Sequence, residues 1–189
     1  MIKKHFTEKV LANELIAQNT YLMRLTCTED FLRIYRPGQF AHIEIPHAKD
    51  LLLRRPISIN YVDFEKKEVH LAYNAVGKGT RLLSLVRAGD MLDVLMPLGN
   101  GFQLAGDMKR VWLVGGGIGI APLKSLYCKY PDREYTAFWD IAAGNACTRH
   151  MTLNCLPKHI LQPTTAAIVS VVFAPTYCVQ SLKKAGRRM

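Results

Sequence analysis

The chain has 189 residues, 49% of them apolar and 21% charged, which is enough for one good core or two small ones and excludes disorder throughout. No apolar run approaches the roughly 20 residues that cross a bilayer, and the Met1-Ile2-Lys3-Lys4-His5 start lacks the apolar segment of a secretory leader, so a cytoplasmic protein with no membrane role is expected. The net charge of +10 raises the question of nucleic acid, but residues 1–138 mix 19 Lys or Arg with 14 Asp or Glu and show no basic stripe interleaved with aromatics, so no nucleic-acid partner is expected.

Up to about Gln103, short β-prone runs are broken by turn residues roughly every eight to twelve positions, the pattern of a small antiparallel barrel or sandwich. Tyr21-Leu22-Met23-Arg24-Leu25-Thr26 is the first clear strand, and residues 39–45 alternate Phe40, His42 and Glu44 against Ala41, Ile43 and Ile45 after a Pro37-Gly38 turn. Residues 57–63 and 69–74 flank the charged turn Glu65-Lys66-Lys67-Glu68 and read as a hairpin. After Gly79 the apolar spacing of Leu82, Leu83, Leu85 and Val86 turns helical, and residues 91–95 return to strand.

From Lys109 the period changes again. Val111-Trp112-Leu113-Val114 is continuously apolar, as suits a strand buried on both faces of a parallel sheet. A glycine loop follows, then Pro122 as a first helical residue, a short amphipathic helix through Leu123, Leu126, Tyr127 and Tyr130, and a β-prone run at residues 134–139. This is the β-loop-α-β start of an open α/β domain. Beyond about Trp139 the text changes character: residues 139–189 carry six basic residues against one acidic one, with a single strong β-prone stretch at residues 168–173. The domains expected are therefore residues 1–103, residues 108–138, and an atypical tail at 139–189 that is disordered or foreign to the rest.

Four segments could carry chemistry. In Arg54-Arg55-Pro56-Ile57-Ser58 a guanidinium suits a diphosphate and a serine or strand amide suits a flavin ring nitrogen; alone, the segment reads better as an arginine-rich strand edge with a capping serine. Gly77-Lys78-Gly79-Thr80 opens a helix, where backbone amides attract an anion, or it is an ordinary glycine turn with Thr80 in the cap. Pro97-Leu98-Gly99-Asn100-Gly101-Phe102 comes third. Gly115-Gly116-Gly117-Ile118-Gly119 follows a buried-type strand and precedes a helix, the context of a dinucleotide loop, although its spacing departs from Gly-x-Gly-x-x-Gly. The fixed order reads as a flavin site followed by a nicotinamide-nucleotide site. Cys27, Cys128, Cys147, Cys155 and Cys178 form no Cys-x-x-Cys pair, and the six histidines show no metal-ligand spacing, so no metal site is expected.

With those residues in view, the chain resembles the ferredoxin-reductase-like flavoproteins and, within them, the electron transfer subunits of B-type dihydroorotate dehydrogenase, over residues 1 to about 138. The resemblance implies an antiparallel FAD-binding β-barrel of ferredoxin-reductase type followed by an incomplete α/β nucleotide-binding domain. It implies FAD contacts from Arg55, Pro56, Ile57 and Ser58, from Ala72, Tyr73 and Asn74 on the following strand, and from Gly79 and Thr80 at the diphosphate. Gly115, Gly116, Gly117, Ile118 and Gly119 would face NAD(H), the electron donor. The implied activity is NADH-dependent oxidoreduction in pyrimidine biosynthesis: a hydride passes to FAD, then single electrons through a 2Fe-2S cluster to an FMN-containing dihydroorotate dehydrogenase catalytic subunit. No side chain need act as acid or base, so no catalytic residue is expected.

The chain also departs from that family. The family's cluster is held by a Cys-x4-Cys-x2-Cys type run, which is absent here. Residues from about Trp139 onward are therefore expected to lie outside the family's sequence, as after a change of reading frame, an idea that translating the other frames of the gene tests. Two alternatives stay open: a sibling NAD(P)H-dependent reductase subunit for a hydrogenase, sulfide or ferredoxin partner, and a flavin-binding remnant without NADH activity.

Overall fold

A two-residue turn begins the fold in this computed structural model, which describes residues 5–46, 48, 51–140 and 149–153. Strands β1 (His5–Ala17) and β2 (Thr20–Thr26) pair antiparallel with Ala17 opposite Thr20, leaving Gln18 and Asn19 to make the reversal. Asn19 takes the left-handed φ of 55° that such hairpins use and that asparagine tolerates. The expected second hairpin forms from β4 (Arg55–Asp63) and β5 (Glu68–Asn74). Asp63 Oδ1 closes its charged turn by accepting from the amides of Glu65 (3.1 Å) and Lys66 (3.0 Å).

With β3 (Phe40–Ile43) and β6 (Met91–Leu98), these strands close into an antiparallel barrel in the order β1-β2-β5-β4-β3-β6. Closure is possible because β1 serves two neighbours: residues 5–9 pair with β6, and residues 10–17 pair with β2. The alternation of Val10, Leu25, Ile43, Ile59, Leu71 and Val94 sends these side chains inside, where each is fully buried. Helix α1 (Glu29–Ile34) is capped by Thr28, whose Oγ accepts from the Phe31 amide, and it buries Phe31 in the barrel core.

Helix α2 (Lys78–Leu83) is held through a buried relay. The Tyr73 hydroxyl donates to Asn13 Oδ1 (2.9 Å), and Asn13 Nδ2 donates to the carbonyls of Leu83 (3.1 Å) and Val86 (3.0 Å). The two bonds from Asn13 tie the C-terminal end of α2 and the turn after it to β1.

After Leu98 the chain crosses to a three-stranded sheet of β7 (Arg110–Gly116), β8 (Glu134–Asp140) and β9 (Arg149–Leu153). β7 and β8 are parallel and joined through α3 (Leu123–Lys129), while β9 runs antiparallel to β8. Pro122 stands one position earlier than expected, as the cap of α3. The expectation of a strand buried on both faces fails: Val111 and Leu113 pack under α3, whereas Trp112 is 73% and Val114 70% exposed on the opposite face. The physical reason is that a single crossover helix covers only one face of a parallel pair. The β-prone stretch at residues 168–173 and the rest of the tail beyond residue 153 lie outside the described residues.

Candidate functional site

The expected flavin residues lie on the two arms of a fork in the barrel wall. β4 and β5 pair from Asp63 opposite Glu68 as far as Ile59 opposite Leu71. Beyond that rung, residues 55–58 of β4 pair with β3, while residues 72–74 of β5 pair with β2. The arms diverge, so strand edges face each other without a ladder between them. Backbone N–H and C=O groups of such edges are obligatory hydrogen-bonding groups in want of partners.

Helix α2 leaves one arm and closes on the other. A Cβ built at Gly79 would collide with the Arg55 guanidinium, 2.8 Å from Cζ, so the arginine rests directly on the Gly79 backbone at the first turn of α2. In the present structure Arg55 Nη1 donates to the Leu53 carbonyl at 2.5 Å. Its neighbour Arg54 serves a different purpose, with Nη2 2.8 Å from Glu44 and Nη1 2.6 Å from Asp93. The two adjacent arginines thus divide between barrel wall and cradle. A guanidinium beside the first-turn amides of a helix is the chemistry that receives a diphosphate, and the open fork offers polar backbone to a ring, so these residues fit a flavin dinucleotide.

The expected residues take unequal places. Pro56 and Ser58 lie on the outer face of β4, Pro56 exposed and Ser58 half-buried, whereas the Ile57 side chain is in the core and offers only backbone to a ligand. Asn74 accepts from Thr20 Oγ at 2.9 Å. Tyr73 turns its side chain inward, 2% exposed inside the barrel, stacked on Tyr21 and with its hydroxyl spent on Asn13, so it offers only backbone to the fork. Strand alternation is the cause, because Ala72 faces outward and the next residue must face inward. The Thr80 hydroxyl is engaged with Gly77, accepting from its amide at 3.1 Å.

The glycine-rich segment forms the end of β7 and a 3-10 turn at Gly117–Ile120. Gly115 permits a close approach, since a Cβ there would stand 2.8 Å from Ile120 Cγ2 and 3.2 Å from its Cα. Gly116, Gly117 and Gly119 are exposed with open space beside them, and Gly117 has a φ of +50°. Ile118 and Ala121 pack onto the outer face of the barrel, Ala121 against Leu22 and Ala72. Thus the turn sits directly beside the β5 arm of the fork.

Sequence reasoning missed the seam between this turn and the barrel. Asn60, 3% exposed, donates from Nδ2 to the Ala121 carbonyl at 2.8 Å. Its Oδ1 is buried with no hydrogen-bond partner among the described residues, an arrangement that costs about 1–3 kcal/mol. Further along, Lys124 Nζ lies 4.8 Å from the centroid of Tyr61, whose ring His70 meets edge-on. Burial pulls Lys124 down from the ordinary lysine range. Burial first and the Lys124 charge second depress His70 to about 4, against the opposing pull of Glu68, 3.3 Å from its Nε2. The signal available beforehand was Lys124 on the apolar face of a short helix. A cavity of about 350 Å³ lined by residues including Tyr35, Tyr61, Phe64 and Ser125 touches none of the expected cofactor residues.

The described residues offer no site for an iron-sulfur cluster. Among the described residues no group of three or more His, Cys, Asp or Glu could hold a metal. Burial and then the Glu8 charge push the Cys27 thiol up to about 12, and burial also raises Cys128. Cys147, Cys155 and Cys178 lie outside the described residues. No helix among the described residues is long and apolar enough to cross a membrane.

Solved structures share this architecture. An NADH-dependent reduced ferredoxin-NADP oxidoreductase superposes with a TM-score of 0.63 at 27% identity, covering 72% of this chain and 49% of that one. Phthalate dioxygenase reductase does so with a TM-score of 0.60 at 22% identity, covering 74% and 44%. The fold is of the ferredoxin-reductase type. Within that fold, the electron transfer subunit of dihydroorotate dehydrogenase B (NAD(+)) from Enterococcus faecalis is 43% identical over 130 residues, 67% of this chain and 48% of that protein. The chain thus spans about half the length of the curated relatives it matches. No protein-family model matches it.

Proposed function

We propose that this chain is an electron-transfer flavoprotein module that holds FAD across the fork and receives NADH at the glycine-rich turn. The observation that carries the reading is the seating of the Arg55 guanidinium on Gly79, which joins two motifs 24 positions apart into one anion cradle. Arg55 and the first-turn amides of α2 would bind the diphosphate, while Ser58 with the backbone of residues 56–58 and 72–74 would orient the ring. A bound FAD would supply the redox chemistry, acceptance of a hydride and its release as single electrons. The chain's own part is positioning: no side chain in the fork has to move a proton. Gly116, Gly117 and Gly119 leave room for a dinucleotide backbone, and Ile118 and Ala121 hold that turn beside the flavin arm. Likeness to its relatives supports, as its partner, the FMN-containing catalytic subunit of dihydroorotate dehydrogenase, with a role in pyrimidine biosynthesis in the cytoplasm.

A second reading rests on the bare face of β7. With Val114 70% exposed and the sheet covered on one side, the chain would bind flavin but hold NADH poorly. Anaerobic addition of NADH to the purified yellow protein separates the two. Bleaching of the flavin band supports electron transfer; a flavin that stays oxidised leaves a flavin-binding remnant, and a colourless protein that takes up no FAD refutes both.

A further inference from the structure

The seam at Asn60 has a construction that ordinary packing does not call for. Between the rungs Ile59–Leu71 and Tyr61–His70, β4 advances two residues while β5 advances one, so Asn60 is the extra residue of a β-bulge at the base of the fork. Bulges re-aim a side chain and are frequent beside functional sites. Here the bulged residue points its carboxamide at the carbonyl of Ala121, the residue that ends the glycine-rich turn. Asn60 lies two positions beyond Ser58 on the same strand, and Ala121 in turn packs on Ala72 of the other arm. One side chain therefore ties the nucleotide turn to both arms of the flavin fork. The tie leaves Asn60 Oδ1 buried without a partner among the described residues, so the bond to Ala121 is what holds the carboxamide there, and removing the donor alone would leave the Ala121 carbonyl without it.

We propose that Asn60 is a positioning residue that fixes the height and orientation of the glycine-rich turn over the fork, so that a nicotinamide held by the turn meets a flavin ring held at Ser58. The proposal deepens the function given above and rests on it for its kinetic consequence. Its structural half, the clasp itself, stands independently.

The test uses the full chain with Asn60→Leu, which keeps the shape and removes the donor, Asn60→Ser as a smaller substitute, and Asn60→Asp. In the protein without flavin, hydrogen exchange at the amides of Ile118 and Ala121 should accelerate about tenfold or more in Asn60→Leu, as expected when the turn opens locally. With FAD bound, its affinity should stay within about threefold of wild type. The rate of flavin reduction at saturating NADH should fall about tenfold or more, with a smaller change in the half-saturating NADH concentration.

Asn60→Asp supplies the readout that simple loss of packing would not move. Its ionised carboxylate repels the Ala121 carbonyl, whereas its protonated form donates to it, so the reduction rate relative to wild type should recover as pH falls. His70, Glu68 and Lys124 stand beside the seam in both proteins, so the quantity compared is the ratio to wild type at each pH. Unchanged exchange in both Asn60→Leu and Asn60→Ser overturns the clasp. Altered exchange with an unaltered saturating rate, or an Asn60→Asp ratio flat with pH, overturns the positioning role. If wild-type flavin is not reduced by NADH, the proposed function fails, and the exchange experiment still decides the clasp.

Discussion

The barrel and the β7–β8–β9 sheet are built from the same chain to opposite standards of self-sufficiency. The barrel closes its own edges and buries a large cluster, with Met23, Leu25, Phe31, Ile59 and Leu71 among its fully buried members. Among the described residues the sheet buries Val111, Leu113, Tyr135 and Ala137, on the one face where Leu126 and Tyr127 of α3 cover it. An antiparallel barrel closed on itself leaves no edge strand, and here β6 supplies the closure by pairing with both β1 and β3, so the barrel is complete as soon as its six strands are present. A parallel sheet needs a crossover on each face, so its first βαβ unit shows one side covered. The likeness to the relatives extends over both regions, and the physical case for a finished site is stronger in the first.

The sharpest way to break this comparison is to empty each core in turn. Leu71→Ala in the barrel should cost about 2–5 kcal/mol and reduce flavin retention, since Leu71 is fully buried at the last rung of the fork. Leu113→Ala under α3 should leave the barrel transition within about 1 kcal/mol. Urea melts followed by far-ultraviolet circular dichroism and by flavin release measure both. Equal losses from the two variants would show a single cooperative unit and end the distinction.

Acid probes the seam between the regions. His70 is 2% exposed and its pKa lies near 4, depressed first by burial and next by Lys124. In the unfolded chain a histidine titrates near about 6.5, so between about pH 6.5 and 4 the unfolded state binds a proton that the folded state does not. Stability should therefore fall with pH across that window, by up to about 3 kcal/mol, and the histidine contributes no further loss below it. His70→Gln should flatten the slope. Parallel urea midpoints for the two proteins at pH 7.5, 5.5 and 4.5 would refute the assignment.

Much of the barrel was legible because its signals are local: Pro37-Gly38, the Glu65-Lys66-Lys67-Glu68 turn, and alternation at residues 39–45 each act within a few residues. β1 was harder to read because Glu8, a charged residue, occupies one of its buried positions, where its Oε2 accepts from Thr26 Oγ at 2.6 Å. α1 carried a readable cap in Thr28 with Glu29 and Asp30 in the first turn, but at six residues it is too short for periodicity to register. At the site, the order of motifs pointed to Arg55 and Gly79, whose contact the structure supplies. Tyr73 and Asn60 were not legible, since which face a residue takes at a fork and at a bulge depends on pairing with strands distant in sequence.

Within the barrel, Arg55→Ala and Arg54→Ala should separate cradle from wall. Loss of the Arg55 guanidinium should weaken FAD binding by about 1.5–3 kcal/mol, roughly 10- to 100-fold, with the melting of the flavin-free protein little changed. Arg54→Ala should instead act on flavin-free stability through Glu44 and Asp93. In the second region, Gly119→Val should raise the half-saturating NADH concentration about tenfold while sparing FAD, because it fills open space without the positive φ that would add strain at Gly117. Titrations of flavin fluorescence and NADH-dependent bleaching read the two effects separately; an Arg55→Ala protein that retains FAD normally would remove the cradle from the site.

The smallest expected effect tests the bare face itself. Val114 is 70% exposed, on the opposite side of β7 from Val111 and Leu113. If that face is solvated, Val114→Lys changes stability by no more than about 0.5 kcal/mol, as for surface substitutions generally. Burying a lysine beneath another element would instead impose the cost of desolvating a charge, well above that limit. A loss of about 2 kcal/mol or more would therefore mean that the face is covered in solution. The second region would then be as complete as the barrel, and the case for NADH binding would rise with it.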